Sequence, residues 1–263
     1  GRHPGTVLVA AAAVTGGVLI FNELRLAGAS YQEIAAAGGG ILSTVRATRA
    51  ASRGELEKKA AAVLAQILEL GVTTVECKSG YGLDRETEVK QLQVYRALDA
   101  AQPVDLVPTF LGAHVVPPEY VDDRGAYIEL LTQSMIPEIA ERGLAEFFDA
   151  FVEQGAYTLG EARAIFEAAR AAGLGIRLHA DQLSNGGGAE LAASFGAVSA
   201  EHLEYVSEAG IQALAGSGTV AVSLPLASLY LREPYLPARR LLDAGVPVAV
   251  ATDFNPGSAP SYH

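Results

Sequence analysis

The stretch IRLHADQ, residues 176–182, has the pattern of a short β-strand that ends in polar side chains able to bind a metal. Alternate residues of a strand point to opposite faces of a sheet, so we expect Arg177, His179 and Asp181 on one face. Ile176 and Leu178 then lie on the other face. The alternation therefore predicts a polar interior around His179.

Helical patterns flank this strand on both sides. Residues 158–161 (TLGE) form a capping box that begins a helix, and Gly173 is placed to end it. After the loop SNGGG at 184–188, a second helix is predicted over residues 188–194. Helix, strand, helix is typical of a parallel sheet, whose functional groups gather at the carboxyl ends of the strands.

The composition favours one soluble α/β domain. The chain has 263 residues, of which 50% are hydrophobic, and this length suits a single α/β barrel. We therefore expect residues 1–263 to form one domain. With 19 basic and 30 acidic residues the formal charge is −11, which disfavours nucleic acids and anionic membrane surfaces as partners.

Cysteine usage and the first residues bear on the compartment. Cys77 is the only cysteine, so the chain cannot form an internal disulfide or a thiolate metal cage. The apolar run at residues 6–14 could be the core of a signal peptide, but this run and the one at 18–21 are too short to span a bilayer. The chain begins with Gly1 rather than Met. A cytoplasmic protein is the expectation.

Seven segments have strand patterns and alternate with helical patterns at spacings suited to βαβ units. They are residues 72–78, 104–111, 146–152, 176–182, 198–203, 219–224 and 246–253. Helices are predicted at 30–37, from the capping box at Ser52 to Leu70, at 85–100, and from Pro118 to near Arg142. An eighth strand at 7–10 would close a TIM-type (β/α) barrel, and an open doubly wound sheet is the alternative.

Polar side chains recur where these strands end. They are Lys78, Tyr81, His114, His179, Gln182, His202, Asp253 and Asn255. In the last strand Ala249, Ala251 and Asp253 share a face, and the small alanines leave room for a metal and a ligand. Imidazoles and a carboxylate suit a zinc or iron ion, which lowers the pKa of a bound water enough to give hydroxide at neutral pH.

Several of these residues also have a purely structural interpretation. A lone histidine at a strand end is more often a satisfied hydrogen-bonding group than a ligand, but three in successive units favour a site. Asp253 could instead cap a helix, and Cys77 is better explained as a small buried residue than as a nucleophile. Lys78 is either a surface group or an interior charge. The glycines at 186–188 could cradle a phosphate, although no Walker lysine follows them.

Longer motifs connect these residues to a known family. The chain contains, in order, CKSGYGL (77–83), TFLGAH (109–114), HADQ (179–182), SAEHLE (199–204) and ATDFNPG (251–257). Together with RLAGASY (25–31) and GGGILST (38–44), these motifs resemble the imidazolonepropionase family of the metal-dependent amidohydrolase superfamily. Several long motifs in order are far more specific than one short pattern.

The resemblance implies a TIM-type barrel, one zinc or iron ion, and hydrolysis of 4-imidazolone-5-propanoate to N-formimino-L-glutamate in histidine degradation. His179 and Asp253 match metal ligands, and His202 matches the histidine near the attacking water. Substrate-contacting positions are matched by Tyr81, His114, Gln182, Asn255, Gly257 and Ser258. Because Gln182 cannot act as an acid or a base, proton transfer is expected of His202 and Asp253.

The chain departs from the family at both ends. The family's first strand carries a His-x-His pair that supplies two metal ligands, followed by an arginine for the substrate carboxylate. Here His3 is the only histidine in residues 1–22, and Val18 stands where the arginine is expected. Residues 261–263 (SYH) do not continue the family pattern. We therefore expect a fragment, a barrel truncated at both ends, with weak metal binding and little turnover.

Three functions stay open on the sequence. Hydrolysis of the cyclic amide leads. A deaminase of another nitrogenous ring is the nearest alternative, because strand-end ligands alone do not name a substrate. The third is a non-catalytic binding protein that retains the pocket, which the missing His-x-His pair favours. The expected partner is a small molecule, and a homodimer is left open.

Overall fold

In the part of the chain that the structure describes, eight parallel β-strands form one sheet in which each strand pairs with the next. The computed structural model describes residues 7–9 and 40–262. The strands are β1 (Val7–Val9), β2 (Thr74–Lys78), β3 (Asp105–Ala113), β4 (Phe147–Val152), β5 (Gly175–Ala180), β6 (Ser199–His202), β7 (Val220–Ser223) and β8 (Val248–Val250). A doubly wound sheet reverses its strand order, whereas this order runs straight through, as in a TIM-type barrel. The predicted α/β class and the eighth strand near the N-terminus are confirmed.

Helices connect the strands on the outside of the sheet. They are α1 (Ile41–Ala50), α2 (Arg53–Glu69), α3 (Arg85–Ala101), α4 (Arg124–Leu130), α5 (Ile136–Glu141), α6 (Leu159–Ala171), α7 (Gly188–Phe195), α8 (Glu208–Ser217), α9 (Pro225–Leu231) and α10 (Ala238–Asp243). None of the helices in the described part of the chain combines the length and the apolar character needed to span a membrane. The predicted helix at 30–37, the residues His3 and Val18, and the motif at 25–31 lie outside the described residues.

Side-chain caps account for the helix boundaries that the sequence predicted correctly. The Ser52 hydroxyl accepts a hydrogen bond from the backbone N–H of Glu55, whose carboxylate accepts one from Ser52 N–H. Thr158 and Glu161 form the same reciprocal pair at the start of α6. Each box satisfies donors that the first helical turn would leave unpaired. α1 was not predicted, and it begins after Gly40 without a side-chain cap.

The predicted single helix ending near Arg142 is divided into several pieces. A 3₁₀ turn at Pro118–Tyr120 is followed by α4, a π-helical turn at Leu131–Met135, and α5. Pro137 lies in the first turn of α5, directly after the π-helical turn. Because proline has no N–H to donate, a regular α-helical ladder cannot continue through this position.

The two faces of the sheet differ in chemistry. Phe148 points towards the helices, where its ring lies 6.1 Å from that of Phe166 in α6. Its neighbour on β4, Asp149, points the other way and meets Lys78 of β2 and His179 of β5. All five residues are buried. The polar interior predicted around His179 is therefore present.

Two strands end more than one residue earlier than the sequence predicted. β5 ends at Ala180 and β8 at Val250. Asp181 and Asp253 then take left-handed backbone angles, with φ of 50° and 52°. The alternation of a strand does not extend through such residues, so the predicted shared faces of Asp181 with His179 and of Asp253 with Ala249 are wrong. Ala249 is in fact exposed.

Candidate active site

A cleft at the carboxyl ends of the strands brings together every residue that the sequence predicted for the site. The predicted residues that line it are Tyr81, His114, His179, Gln182, His202, Asp253, Asn255, Gly257 and Ser258. These residues lie at the ends of strands β2, β3, β5, β6 and β8 or in the loops that follow them. The carboxyl ends of parallel strands meet at one edge, which is why residues far apart in sequence converge here. Gly40, Ile41 and Thr44, at the start of α1, also line the cleft.

Four rings form a row across this cleft. The ring centroid of Tyr81 lies 5.3 Å from that of His114, which lies 6.4 Å from that of His179. The rings of His179 and His202 are 5.3 Å apart. The row places three imidazoles from three different strands within reach of one small ligand.

His179 is held by a carboxylate that the sequence analysis missed. Its Nδ1 lies 3.1 Å from Oδ1 of Asp149, and Asp149 is fully buried on β4. Burial alone would raise the pKa of Asp149, but the charges of His179 and Lys78 outweigh it and hold that pKa well below its ordinary value. Burial likewise opposes protonation of His179, but Asp149 raises its pKa above the ordinary value. A charged residue within the apolar run FFDAF was the only sequence signal for Asp149.

Lys78 is an interior charge rather than a surface group. Its side chain is 2% exposed, and Nζ lies 2.6 Å from Oδ2 of Asp149 and 2.8 Å from Oε1 of Glu76. Burial would lower the pKa of Lys78, but these two carboxylates outweigh it and raise the pKa above its usual range. The lysine is therefore charged and fixed inside the sheet.

His202 and Asp253 occupy strained backbone positions at the ends of their strands. His202 has a φ of 77° and Asp253 a φ of 52°, in the left-handed region that L-residues rarely adopt. Oε1 of Glu204 lies 3.6 Å from Nδ1 of His202, which makes no hydrogen bond within the described residues. Burial raises the pKa of Asp253, and the nearby charges of His202 and His179 offset only part of this effect.

Comparison with known proteins supplies the family. No family model matches the chain. The imidazolonepropionase of Symbiobacterium thermophilum is 54% identical over 241 residues, which cover 91% of this chain and 57% of that protein. The imidazolonepropionase of Caulobacter vibrioides is 55% identical over 239 residues, covering 90% of this chain and 60% of that protein. The resemblance to imidazolonepropionases is confirmed. The chain thus spans less than two thirds of the length of these relatives.

Solved structures with the same fold are more distant in sequence. A 5-methylcytosine deaminase from Klebsiella pneumoniae, liganded with 5-fluorocytosine, matches 97% of this chain and 64% of its own with a TM-score of 0.73 and 17% identity. An adenosine deaminase from Xanthomonas campestris with bound zinc matches with a TM-score of 0.64 and 15% identity, over 98% of this chain and 56% of its own. These likenesses concern the fold alone, and they agree with the amidohydrolase-type barrel.

The imidazolonepropionase motif at 77–83 forms a rigid loop that carries Tyr81. The buried carboxylate of Glu88 accepts hydrogen bonds from the backbone N–H groups of Gly80, Gly82 and Leu83. The carbonyl of Gly80 lies 3.1 Å from Nδ1 of His114, which must therefore carry the proton. Burial and the neighbouring His179 lower the pKa of His114 to about 3, so this ring is neutral at physiological pH.

The HADQ motif ends in a loop whose amide groups are already occupied. The Asp181 carboxylate accepts hydrogen bonds from the N–H groups of Gly186, Gly188 and Ala189 at the start of α7. A phosphate bound there would have to displace this carboxylate, so the phosphate-cradle interpretation finds no support. Glu153 similarly accepts from the N–H groups that follow Gln182, at Leu183 and Ser184.

Asn255 builds the turn that ends the site. Its Oδ1 accepts hydrogen bonds from the N–H groups of Gly257 and Ser258, both at 2.8 Å. Its Nδ2 donates to the carbonyl of Asp253 at 2.7 Å. This local network replaces the helix that Asp253 was alternatively predicted to cap. It brings Gly257 and Ser258 to the cleft, while their contact with a substrate stays a prediction.

Cys77 is a buried member of the core. Its side chain belongs to the apolar cluster behind the sheet. Burial and the nearby Glu76 raise the pKa of its thiol, so little of the nucleophilic thiolate form exists at neutral pH. These features support the structural interpretation of Cys77 over a role as nucleophile.

Proposed function

We propose that the cleft belongs to an imidazolonepropionase, which hydrolyses the cyclic amide of 4-imidazolone-5-propanoate to N-formimino-L-glutamate in histidine degradation. The supporting observation is the convergence of all the predicted residues in one cleft of a chain that is 54% identical to the Symbiobacterium enzyme. The structural neighbours named as deaminases support the barrel fold and do not select a substrate.

The donors in the cleft fit a single divalent ion, zinc or iron. We assign His179 and Asp253 as its ligands. Because Nδ1 of His179 faces Asp149, Nε2 is the nitrogen left for a metal. When bound, the ion supplies Lewis-acid chemistry, which polarises a carbonyl group and makes water a stronger nucleophile at neutral pH. The zinc bound by the Xanthomonas deaminase supports an ion in this type of site.

A second set of donors shares His179 with the cleft. Potential ligand atoms of Asp149, His179 and Glu201 lie within 4.8 Å of one another. However, the Lys78 ammonium is 2.6 Å from Asp149 and already neutralises this carboxylate. A metal ion between these groups would have to approach that positive charge closely. The position between His179 and Asp253 is therefore preferred.

The reaction requires one bond to form and one to break. The water oxygen bonds to the ring carbonyl carbon, the ring C–N bond breaks, and the leaving nitrogen receives a proton. Asp253 and His202 are proposed to take the proton from water and return it to this nitrogen. Gln182 is neutral and orients the ring, while Tyr81 and His114, with the turn residues Asn255, Gly257 and Ser258, bind the substrate.

Strand β1, the first strand among the described residues, provides no metal ligand. β1 has the sequence VLV, whereas a catalytic zinc usually has at least three protein ligands. With only His179 and Asp253 assigned, we expect the ion to dissociate readily and turnover to be slow. This feature also keeps a non-catalytic binding protein as the second candidate.

Metal analysis and an activity assay on the same sample test this proposal. We expect dialysed protein to retain little metal and to hydrolyse 4-imidazolone-5-propanoate slowly, only with added zinc or ferrous ion. Asp253→Asn should abolish that turnover. Release of ammonia from cytosine or adenosine, with no hydrolysis of the imidazolone, would favour the deaminase. Stoichiometric metal with efficient hydrolysis would show that the first-strand histidines are dispensable.

Other assignments are also proposals. They are a single domain over residues 1–263, a cytoplasmic location and a homodimer. Sedimentation of the purified chain tests the assembly, since a homodimer has twice the 27.3 kDa mass of the chain.

A further inference from the structure

Five charged side chains form a connected group inside the sheet, and one of them, Lys78, also lines the cleft. They are Glu76, Lys78, Asp149, Arg177 and Glu201. The three carboxylates and the lysine are almost completely buried. Burying charge is costly unless each group is paired, so such a group needs an explanation beyond stability.

The group ends at His179. Asp149 Oδ1 is hydrogen-bonded to Nδ1 of His179 at 3.1 Å, and Oδ2 accepts from Nζ of Lys78 at 2.6 Å while also lying 3.0 Å from the same Nδ1. An ionised carboxylate only accepts hydrogen bonds, so Nδ1 of the neutral imidazole must carry the proton. The lone pair then lies on Nε2, the nitrogen that a metal in the cleft would use.

Lys78 is itself fixed from the opposite side. Its Nζ donates to Oε1 of Glu76 at 2.8 Å, and the same oxygen accepts from Oγ1 of Thr109 at 2.6 Å. Nε of Arg177 lies 3.3 Å from this oxygen. The lysine therefore cannot move without breaking two buried ion pairs. These contacts join strands β2, β3, β4 and β5, which hold the carboxylate of Asp149 in one orientation.

We propose that Asp149, locked in place by Lys78, is the positioning residue that keeps His179 in the Nδ1–H tautomer and so presents Nε2 to the metal. This inference rests on the proposed metal site at His179. It assigns a role to Lys78 that neither its sequence context nor the proposed reaction explains. Asp149 acts through His179 and touches neither the substrate nor the reacting atoms.

Replacing the carboxylate with an amide tests the tautomer directly. Lys78 can only donate, so in Asp149→Asn the amide oxygen should face Lys78 and the amide N–H₂ should face His179. Because the amide N–H₂ takes the place of the hydrogen-bonded Oδ1, we expect Nδ1 to accept and the proton to move to Nε2, which removes the lone pair needed by the metal. Asp149→Ala only removes the restraint, so both tautomers should coexist.

The expected order of metal affinities among the variants differs from the order that a merely structural role of Asp149 would give. Titration with cobalt, followed by its visible absorption, should show metal affinity falling about 100-fold in Asp149→Asn and about 10-fold in Asp149→Ala. A residue that only packs would tolerate the isosteric asparagine better than alanine. Glu201→Gln is the control, because Glu201 is equally buried but is not hydrogen-bonded to His179, so metal affinity should fall less in it than in either Asp149 variant.

Nitrogen-15 NMR of His179 provides a measurement that does not depend on metal. At alkaline pH, where the ring is neutral, the metal-free parent and Glu201→Gln should show protonated Nδ1, and Asp149→Asn should show protonated Nε2. If the parent chain binds no cobalt but the His179 tautomer still differs between it and Asp149→Asn, the proposed metal site fails and the control of this tautomer by Asp149 stands. The same tautomer in the parent chain and Asp149→Asn, or weaker binding by Asp149→Ala than by Asp149→Asn, would overturn the inference.

Discussion

His179 and His114 show how far neighbours control the charge of a single residue. Their ring centroids are 6.4 Å apart, yet their pKa values move in opposite directions. Asp149 raises the pKa of His179 despite its burial, whereas burial and the adjacent His179 lower that of His114 to about 3. At a given pH, His179 is therefore more often protonated than an ordinary histidine and has more protons to lose on binding metal, whereas His114 is neutral near pH 7.

Zinc binding should release protons from His179. Because the pKa of this imidazole is raised, more of it is protonated at a given pH than for an ordinary histidine, so up to about one proton should leave as each zinc ion binds. Because protons compete with the metal for the ring, affinity should fall as the pH is lowered. Calorimetric titrations in buffers with different ionisation enthalpies measure the number of protons released.

His114→Gln is the matched control for this measurement. Since His114 is already neutral, its replacement should leave the proton release unchanged. A binding heat that is the same in every buffer would contradict the prediction, because it would mean that His179 is neutral before the metal arrives.

The residues of the cleft were predictable to different degrees. His179, His202 and Asp253 were predicted because polar residues at the ends of apolar strands are visible in the sequence. Asp149 and the role of Lys78 were not predicted, because they depend on a contact between two residues that are 71 positions apart. No local pattern in either strand indicates that these two side chains meet.

At the level of elements, the loop after β2 depends on a glycine with a restricted environment. Gly80 has a φ of 94°, and a Cβ atom there would lie 2.5 Å from the carbonyl oxygen of Leu111. That oxygen belongs to β3 and cannot move independently. The Glu88 carboxylate also holds the loop, by accepting hydrogen bonds from the loop's backbone N–H groups. The position of Tyr81 therefore depends on the glycine at position 80.

Gly80→Ala should destabilise the fold by about 2–4 kcal/mol, from the left-handed backbone and the contact with a backbone oxygen. Gly160→Ala in α6 is the control, because nothing lies within 4 Å of an added Cβ and φ is not positive there. In a helix, alanine should stabilise by up to about 1 kcal/mol. Urea unfolding of both variants measures the difference, and equal midpoints would contradict this account of the loop.

The ends of helices and strands were predictable only where nearby residues in the sequence mark them. Capping boxes at Ser52 and Thr158 fixed the starts of two helices, because the groups that satisfy the first turn are three residues apart. β5 and β8 end earlier than their apolar patterns do. The left-handed residues Asp181 and Asp253 lie beyond these two strand ends. The Asp181 conformation accompanies hydrogen bonds to a later helix, which strand periodicity does not describe.

For the whole molecule, sequence patterns predicted the barrel-type order of strands but not the charged interior. The alternation of strands and helices is a local property repeated along the chain, and it was enough to give the α/β class. Whether Glu76, Arg177 and Glu201 point to water or to each other depends on how the sheet curves. The structure places all three inside it.

This interior makes stability depend on Arg177. Its Nε lies 3.3 Å from Glu76 Oε1, one Nη lies 3.9 Å from Glu201 Oε1, and its guanidinium carbon is 4.3 Å from the centre of the Phe147 ring. Arg177→Gln would leave the carboxylates of Glu76 and Glu201 with less positive charge nearby. At about pH 7 we expect a loss of about 3–5 kcal/mol in the free energy of unfolding.

The loss should shrink in acid. Burial already raises the pKa of Glu201 above its ordinary value of 4.5, and removing Arg177 should raise it further. A carboxyl group with a raised pKa in the folded state binds protons more tightly there than in the unfolded chain, so it destabilises the fold as the pH rises through 4.5 and costs little below it. The difference in unfolding free energy between Arg177→Gln and the parent chain should therefore be smaller at low pH than at neutral pH. The double variant Arg177→Gln/Glu201→Gln, which also lacks the raised carboxyl, should recover part of the loss at neutral pH. A difference that does not change with pH would instead assign the cost to lost packing of the guanidinium on Phe147.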